Sequence, residues 1–227
     1  MSGRIYEDYG PDNFTDEVIM PHEQICYFCD FNYTPMSHGI GVLRDHYSII
    51  ATRKTIKAVY LLDDIVLDGA VGQHNALEFV ERYKNHQNKS IRLYGDRSGK
   101  NGEKHALESE YITMERVFRE HGWHVDRRVK NANPSIKDSQ NAVRAKIRNA
   151  NGDVSLFVNP NTAKWVHAGL ATVTVKEGSS FLEDDKNDKQ HITTAIRYFI
   201  DYEFPIEDGI MSIDVVMWGE SPLFGAK

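Results

Sequence analysis

The first part of the chain carries a strand-like pattern of hydrophobic and polar positions. Residues 24–31, QICYFCDF, are almost continuously apolar, which is typical of a central strand covered on both faces. Residues 39–43, 47–52 and 58–66 have the same character, and short polar turns separate them. Because short turns favour antiparallel neighbours, we expect three antiparallel strands at the start of the sheet.

The pattern then becomes an alternation of helices and strands. Apolar residues at helical spacing predict helices, and short apolar runs predict strands, at residues 76–83, 90–95, 107–118, 134–147, 154–158, 165–170 and 192–202. Gly122 is expected to end the second helix, Asn133 to cap the third, and Asn161 or Thr162 to cap the fourth. Residues 171–181 alternate like a β-ribbon.

These elements together predict one α/β domain. Its mixed sheet would have three antiparallel strands followed by parallel crossover strands, with helices on both faces. We expect residues 1–227 to form this single domain, with an N-terminal linker at 1–22, the ribbon at 171–181 and a C-terminal tail at 203–227.

The composition is that of an ordinary globular protein, since the 227 residues are 41% hydrophobic and 26% charged. No apolar run approaches the roughly 20 residues of a membrane span, and no apolar signal region follows the start, so we expect an intracellular protein. The formal charge of −6 argues against coating nucleic acid through net charge. Residues 116–148 are locally basic, which fits either a solvated helix face or a DNA track.

Cys26 and Cys29 form a CxxC pattern without a second cysteine pair to complete a tetrahedral zinc site. In a strand, side chains three positions apart point to opposite faces. We therefore expect both cysteines to be structural.

Two carboxylates stand inside or at the end of predicted strands. Asp30 lies within the first apolar run, where an unpaired charge is costly, so we expect it to cap a turn, to accept hydrogen bonds or to bind a metal. Asp96 follows the strand at 90–95 in the glycine-rich turn GDRSG. Two acids on neighbouring strands repel each other unless cations neutralise them, and a divalent metal site is the usual role of such a pair.

Three segments give the chain a resemblance to a known family: CYFCDFNYTP, IRLYGDRSG and DKQHITTAIRYFIDYEFPI. In this order they resemble the C-terminal nuclease domain of the large terminase subunit, the DNA-packaging motor protein of tailed bacteriophages. Residues 3–6, GRIY, resemble the join to that family's upstream ATPase domain, and the chain has no Walker A pattern. The resemblance covers nearly the whole chain and implies an RNase H-like fold and a metal-dependent endonuclease that cuts concatemeric viral DNA.

The resemblance also implies the site residues. Asp30 and Asp96 match the family's catalytic, metal-binding aspartates, which would hold two Mg²⁺ or Mn²⁺ ions. The family's third motif, His-x-x-Asp-Ala, here reads HITTA, so His191 is kept as a catalytic residue and Thr194 replaces the aspartate.

Helix geometry ranks the substitutes for that third acid. Asp188 lies one turn before His191 and would stay beside it, so we expect Asp188 to be the third metal ligand unless it only caps the helix. Asp201 shares a face with Thr194 but lies about 10 Å further along the axis, and it ranks second.

Phosphate contacts are expected from cations near the second aspartate and within the basic segment. The predicted DNA-binding residues are Lys100, Lys104, Arg127, Arg128, Lys130, Arg144 and Arg148. The resemblance implies double-stranded DNA, the portal protein and the small terminase subunit as partners, a monomeric isolated domain, and location in the host cytoplasm.

Two other functions remain open at the level of sequence. A Holliday-junction resolvase or repair nuclease would use the same acids on another DNA shape, whereas a non-catalytic module would dock DNA or a portal protein. Thr194 favours the docking module, and metal binding separates it from both nucleases. The pairs at 63–64 and 184–185 are expected to be solvated turn residues rather than ligands.

Overall fold

A six-stranded mixed sheet lies at the centre of the structure, a computed structural model that describes residues 3–31, 35–48, 53–97 and 104–206. The strands are β1 (Ile25–Asp30), β2 (Met36–Tyr47), β3 (Thr55–Leu67), β4 (Ser90–Gly95), β5 (His124–Arg127) and β6 (Leu156–Val158). Their order across the sheet is β5-β4-β1-β2-β3-β6.

The pairing of the strands confirms the predicted fold class. β1, β2 and β3 are antiparallel neighbours, whereas β4 is parallel to β1, β5 to β4, and β6 to β3. The predicted break between the strands at 39–43 and 47–52 was wrong, because β2 continues through it to Tyr47, and residues 49–52 lie outside the described part of the chain. The pattern also gave no sign of β5, whose sequence HVDR is mostly polar.

Helices cover both faces of the sheet. They are α1 (Gly72–Arg82), α2 (Lys104–Glu120), α3 (Ile136–Ile147), α4 (Lys164–Thr172) and α5 (Gln190–Glu203), and a 3-10 turn spans Pro11–Asn13. α1 and α2 pack against one face, around Tyr27 and Phe79. α3, α4 and α5 pack against the other, around Phe28 and Phe199. As expected for a central strand, every residue of β1 is buried.

Two predicted helix caps were wrong, and in each case a different side chain supplies the hydrogen bonds. Ser135 caps α3, because its hydroxyl accepts from the Asp138 amide at 3.1 Å, whereas Asn133 bonds elsewhere. At the start of α4 the acceptor comes from β3.

The carboxylate of Asp64 accepts from the amides of Trp165 and Val166 at 2.6 and 3.1 Å, in place of the predicted cap at Asn161 or Thr162. Asp64 is therefore not a solvated turn residue, and burial raises its pKa to about 6. Its neighbour Asp63 lies in the same strand and binds Arg82 at 2.7 Å. Both residues lie inside β3, as they do inside the predicted strand at 58–66, so the error was to treat two adjacent acids as a turn.

The chain segments next to the predicted ribbon and linker are more closely packed than expected. α4 runs through Thr172, and the region beyond it forms only isolated bridges, such as that between Val175 and Glu183. Ile5 and Tyr6, in the predicted linker, are each 1% exposed within the core of α3, α4 and α5. A preceding motor domain stays a prediction, and the tail beyond residue 206 lies outside the described residues.

Cys26 and Cys29 are free, buried and on opposite faces of β1, as expected for structural residues. Burial raises the pKa of the Cys26 thiol to about 12, which keeps it protonated. Within the described part of the chain, no helix is long and apolar enough to cross a membrane.

The buried His38 predicts a measurable pH dependence of stability. Burial lowers its pKa from 6.5 to about 3, and its Nδ1 lies 2.6 Å from the Tyr27 hydroxyl. Between those pH values His38 is protonated in the unfolded chain and neutral in the folded chain. The free energy of unfolding therefore falls as the pH falls. The slope should approach about 1.4 kcal/mol per pH unit, measured by urea unfolding between about pH 7 and pH 5.

His38→Gln should remove this part of the slope, whatever its effect on absolute stability. The exposed His124 offers a matched control, since His124→Gln should keep the wild-type slope. Equal slopes for the wild type and His38→Gln would contradict the assignment.

Candidate functional site

Asp30 is the last residue of β1, and its carboxylate is 7% exposed. Strand alternation puts it on the face that carries Cys26 and Phe28, which is the face covered by α5. His191 Nδ1, at the start of α5, lies 3.1 Å from Asp30 Oδ2. An ionised carboxylate only accepts hydrogen bonds, so the tautomer with the proton on Nδ1 is the one that donates to an ionised Asp30.

Asp96 follows β4 and lies beside Asp30. β1 and β4 are parallel, and Cys29 pairs with Gly95, so the next residue of each strand is an aspartate. Both carboxylates act on the same neighbours. Burial raises the pKa of the Cys29 thiol, and the charges of Asp30 and Asp96 raise it further. Burial and then the same two charges raise the pKa of the Tyr198 hydroxyl on α5. The sheet thus brings together the two acids that the sequence proposed as a pair.

The turn that carries Asp96 is held in place on three sides. The Asn133 amide donates to the Asp96 carboxylate, and the Tyr111 hydroxyl donates to its backbone carbonyl at 2.8 Å. The Arg97 backbone amide donates in turn to the side-chain oxygen Oδ1 of Asn133 at 2.8 Å. Asn133, predicted as a helix cap, therefore orients a candidate metal ligand.

One face of α5 borders the two acids. His191 and Tyr198 lie on it, and Thr194 lies between them. The Thr194 hydroxyl accepts a hydrogen bond from Arg197 Nη2 at 2.7 Å, and Arg197 Nε lies 3.5 Å from a Glu183 carboxylate oxygen. A threonine that accepts from a buried arginine is a poor metal ligand, because the cation repels a metal ion.

The two candidates for a third acid differ in their surroundings. Asp188 is exposed just before α5, and its backbone carbonyl accepts from the His191 amide at 3.3 Å. No described contact joins its carboxylate to Asp30 or Asp96. Asp201 is 4% exposed and forms an ion pair with Lys130, so a cation already neutralises it.

The donor set fits a hard divalent cation by its chemistry. Mg²⁺ commonly binds through one or two carboxylates and keeps several water ligands, and the adjacent pair Asp30 and Asp96 meets this requirement. His191 adds an imidazole nitrogen, which suits Mn²⁺ better than Mg²⁺. Among the described residues, however, no group of three histidine, cysteine or acidic side chains surrounds a common metal position. The geometry thus supports one ion through two carboxylates more directly than it supports two ions.

The predicted DNA-binding cations whose side chains are described each contact another part of the protein. Their partners are Glu115 for Arg127, Asp126 and Glu203 for Arg128, Asp201 for Lys130, the Ile5 carbonyl for Arg144 and Asp12 for Arg148. Lys100 lies outside the described residues, as does the side chain of Lys104. A DNA role for these residues stays a prediction, and a phosphate would compete there with existing partners.

Sequence reasoning missed Asn133 and Arg197 as residues of the site. Asn133 precedes a proline, which pointed to a helix cap, and only the folded chain brings it to Asp96. Arg197 lies three residues after Thr194, the spacing at which helical side chains meet, and that spacing was a usable signal.

Solved structures resemble this chain, although no protein-family model and no curated protein matches it. The g2p large terminase nuclease domain of bacteriophage SPP1, with bound Mn, is 12% identical with a TM-score of 0.50, covering 85% of this chain and 97% of that one. The large terminase nuclease of thermophilic phage G20c, with bound magnesium, is 10% identical with a TM-score of 0.50, covering 88% and 97%.

A Thermus thermophilus RuvC in complex with a Holliday junction is 14% identical and covers 80% of this chain and 94% of that one. Its TM-score of 0.39 is too low to bear on function. At these identities the likeness establishes the fold, which is RNase H-like, and the resemblance to terminase nuclease domains is confirmed at that level.

Gly95 predicts a steric test of the site. A Cβ at this position would lie 2.5 Å from the Tyr111 hydroxyl and 2.8 Å from Cys29 Sγ, so Gly95→Ala must displace the turn that carries Asp96. We expect its free energy of unfolding in urea to fall by roughly 1–3 kcal/mol. Gly10→Ala is the control, because its Cβ would meet nothing within 4 Å. Wild-type stability of Gly95→Ala would show that the close packing here is not required.

Proposed function

We propose that this chain is the metal-dependent endonuclease domain of a viral DNA-packaging terminase, which cuts concatemeric phage DNA in the host cytoplasm with Mg²⁺ or Mn²⁺. The observation that carries the proposal is the position of Asp30 and Asp96 at the same edge of an RNase H-like sheet, with His191 against Asp30. The terminase nucleases that share the fold have bound Mn or magnesium in their solved structures.

In this proposal Asp30 and Asp96 would hold the cation, because carboxylates attract a divalent ion and repel a phosphate. A bound divalent ion supplies a water of lowered pKa and neutralises charge on the phosphate. Asn133 and Tyr111 fix the Asp96 turn, and His191 fixes one oxygen of Asp30. Such partners behind the ligands typically contribute about 10–100-fold to metal affinity or activity.

Tyr198 would act as a neutral hydrogen-bond donor near the phosphate. Burial and the charges of Asp30 and Asp96 raise the pKa of its hydroxyl, so it keeps its proton at neutral pH. A neutral hydroxyl donates to a phosphate oxygen without repelling it, whereas a phenolate beside two carboxylates would add a third negative charge.

The partners follow from the same proposal: double-stranded DNA, and in the full-length motor the portal protein and the small terminase subunit. The number of ions is less well supported than their use. Two ions would require a third carboxylate, from Asp188 or Asp201, to approach the site, because Thr194 offers none.

A junction resolvase or repair nuclease is the second candidate function. The adjacent acids serve either enzyme equally well, and only the preferred DNA shape separates them. A non-catalytic docking module gains support from Thr194, but it gives no reason to place two acids side by side at a buried strand edge.

The first prediction of the proposal concerns cleavage. The protein should nick supercoiled plasmid with Mn²⁺ or Mg²⁺ and not with EDTA, because the cation activates the water. Asp30→Asn and Asp96→Asn should each reduce the rate by more than about 100-fold, since even partners behind the ligands contribute about 10–100-fold. Calorimetric Mn²⁺ binding should weaken in the same two variants.

The exposed Asp16 provides the matched control for the loss of one carboxylate, and Asp16→Asn should cut and bind like the wild type. Absence of both cutting and Mn²⁺ binding in the wild type would refute the nuclease and favour the docking module. Faster cutting of a four-way junction than of a linear duplex would favour the resolvase.

A second prediction identifies the third ligand. His191→Gln and Asp188→Asn should weaken Mn²⁺ binding by about 10–100-fold, as loss of a ligand or its support does. Asp201→Asn should instead keep Mn²⁺ binding and lower the unfolding midpoint, because its carboxylate pairs with Lys130. If Asp201→Asn loses Mn²⁺ while Asp188→Asn binds normally, the third ligand is Asp201.

A further inference from the structure

A cavity of about 470 Å³ lies at the opposite end of α5 from the two aspartates. Glu203 and Phe204 at the end of α5 line it, together with Arg92 of β4, Arg128 just after β5 and Lys57 of β3. Arg92 lies on the same sheet face as Tyr94 and Asp96, because side chains two positions apart in a strand share a face. The cavity and the aspartates therefore lie on one sheet face, and Arg92 comes four residues before Asp96 along extended chain, about 13 Å away.

The carboxylates that line the cavity are already neutralised. Glu23 accepts from Arg44 Nε at 2.6 Å and from Arg44 Nη2 at 2.8 Å, and Arg44 holds the pKa of Glu23 below its usual value despite burial. Glu203 accepts from Arg128 Nη1 and from the Tyr94 hydroxyl, each at 2.7 Å. Neither carboxylate is therefore available to compensate a further cation.

Arg92 takes part in neither of these two ion pairs. Its Nε is buried with no hydrogen-bond acceptor, and it forms no ion pair with any described residue. A guanidinium offers five N–H donors in a planar fork that suits oxyanions, and leaving a buried charged donor unpaired destabilises the fold. Arg92 is thus a cation on the wall of a cavity, and its Nε has no partner among the described residues.

A second cation beside the cavity, Lys146, also has no carboxylate partner among the described residues. Lys146 Nζ lies 3.4 Å from the centroid of the Phe204 ring and donates to the Lys57 carbonyl at 3.1 Å, but it has no ion pair among the described residues. Burial lowers its pKa to about 8, which is the expected result for an ammonium group that lacks a compensating anion.

We propose that this cavity binds an oxyanion of the phosphate type, with Arg92 as the group that contacts it. The phosphate belongs either to the DNA backbone or to a free phosphate compound. In the first case the inference rests on the proposed function: about 13 Å spans roughly four nucleotides of a B-form strand, so the cavity would hold the DNA backbone a few nucleotides from the cut.

The test uses inorganic phosphate as the probe, in EDTA and at constant ionic strength, so that the metal site contributes nothing. Calorimetry should show binding to the wild type that is at least about tenfold weaker in Arg92→Gln, as expected for loss of a charged hydrogen bond. Arg92→Lys should keep part of the affinity, because it restores the charge without the fork. Lys164→Gln, which removes an exposed cation on α4, should bind phosphate like the wild type.

A duplex-binding arm in the same EDTA buffer separates the two sources of phosphate. If DNA supplies it, Arg92→Gln weakens duplex binding and inorganic phosphate competes with the duplex. If a free phosphate compound supplies it, duplex binding is unchanged while phosphate binding is still lost. Asp30→Asn should bind phosphate normally in either case. The phosphate-binding result can therefore be interpreted even if the nuclease proposal fails.

Two results would overturn the inference. One is equal phosphate binding, or none, in the wild type and Arg92→Gln. The other is binding of a hexaglutamate peptide without binding of phosphate, which would assign the cavity to an acidic protein partner. If Arg92→Gln does not fold, the Arg92 Nε–H resonance of the wild type decides, since it should shift on titration with phosphate.

Discussion

The parallel pairing of β1 with β4 is the interaction on which the candidate site rests. It ends two strands at the same edge of the sheet and sets Asp30 next to Asp96 in register. Two adjacent carboxylates, one of them buried, would destabilise the fold without compensation. His191 and Asn133 supply hydrogen bonds to them.

Helix α5 connects this edge to the rest of the molecule. Ile196 and Phe199 anchor one side of it in the core, while His191 and Tyr198 face the acids. Its far end lines the cavity that contains Arg92. A packed helix moves as a rigid unit. A change in the packing of α5 would therefore displace both His191, beside the acids, and Glu203, beside the cavity.

Within the described part of the chain, the cations of the basic segment that were expected to bind DNA are paired internally, and this affects any interaction with DNA. The cations after β5 bind carboxylates on α2 and α5 or beside them, so they do not form an open basic track. A phosphate at these positions has to displace an existing partner, which lowers the gain from each contact. Binding should then depend on few unpaired cations and be weak and sensitive to salt.

The hydrophobic pattern was sufficient for the strands and helices of the core and for the fold class, because periodicity reports directly which faces are buried. The motifs singled out Asp30, Asp96 and His191, which the structure brings to one edge of the sheet, and their role as catalytic residues stays a prediction. Neither the pattern nor the motifs predicted contacts between distant segments. These contacts are the capping of α4 by Asp64, the hydrogen bond from Asn133 to Asp96, and the ion pairs of the basic segment. These depend on which loops meet after the sheet has formed. The spacing of residues along the chain does not show which loops become neighbours, so only the tertiary structure decided these contacts.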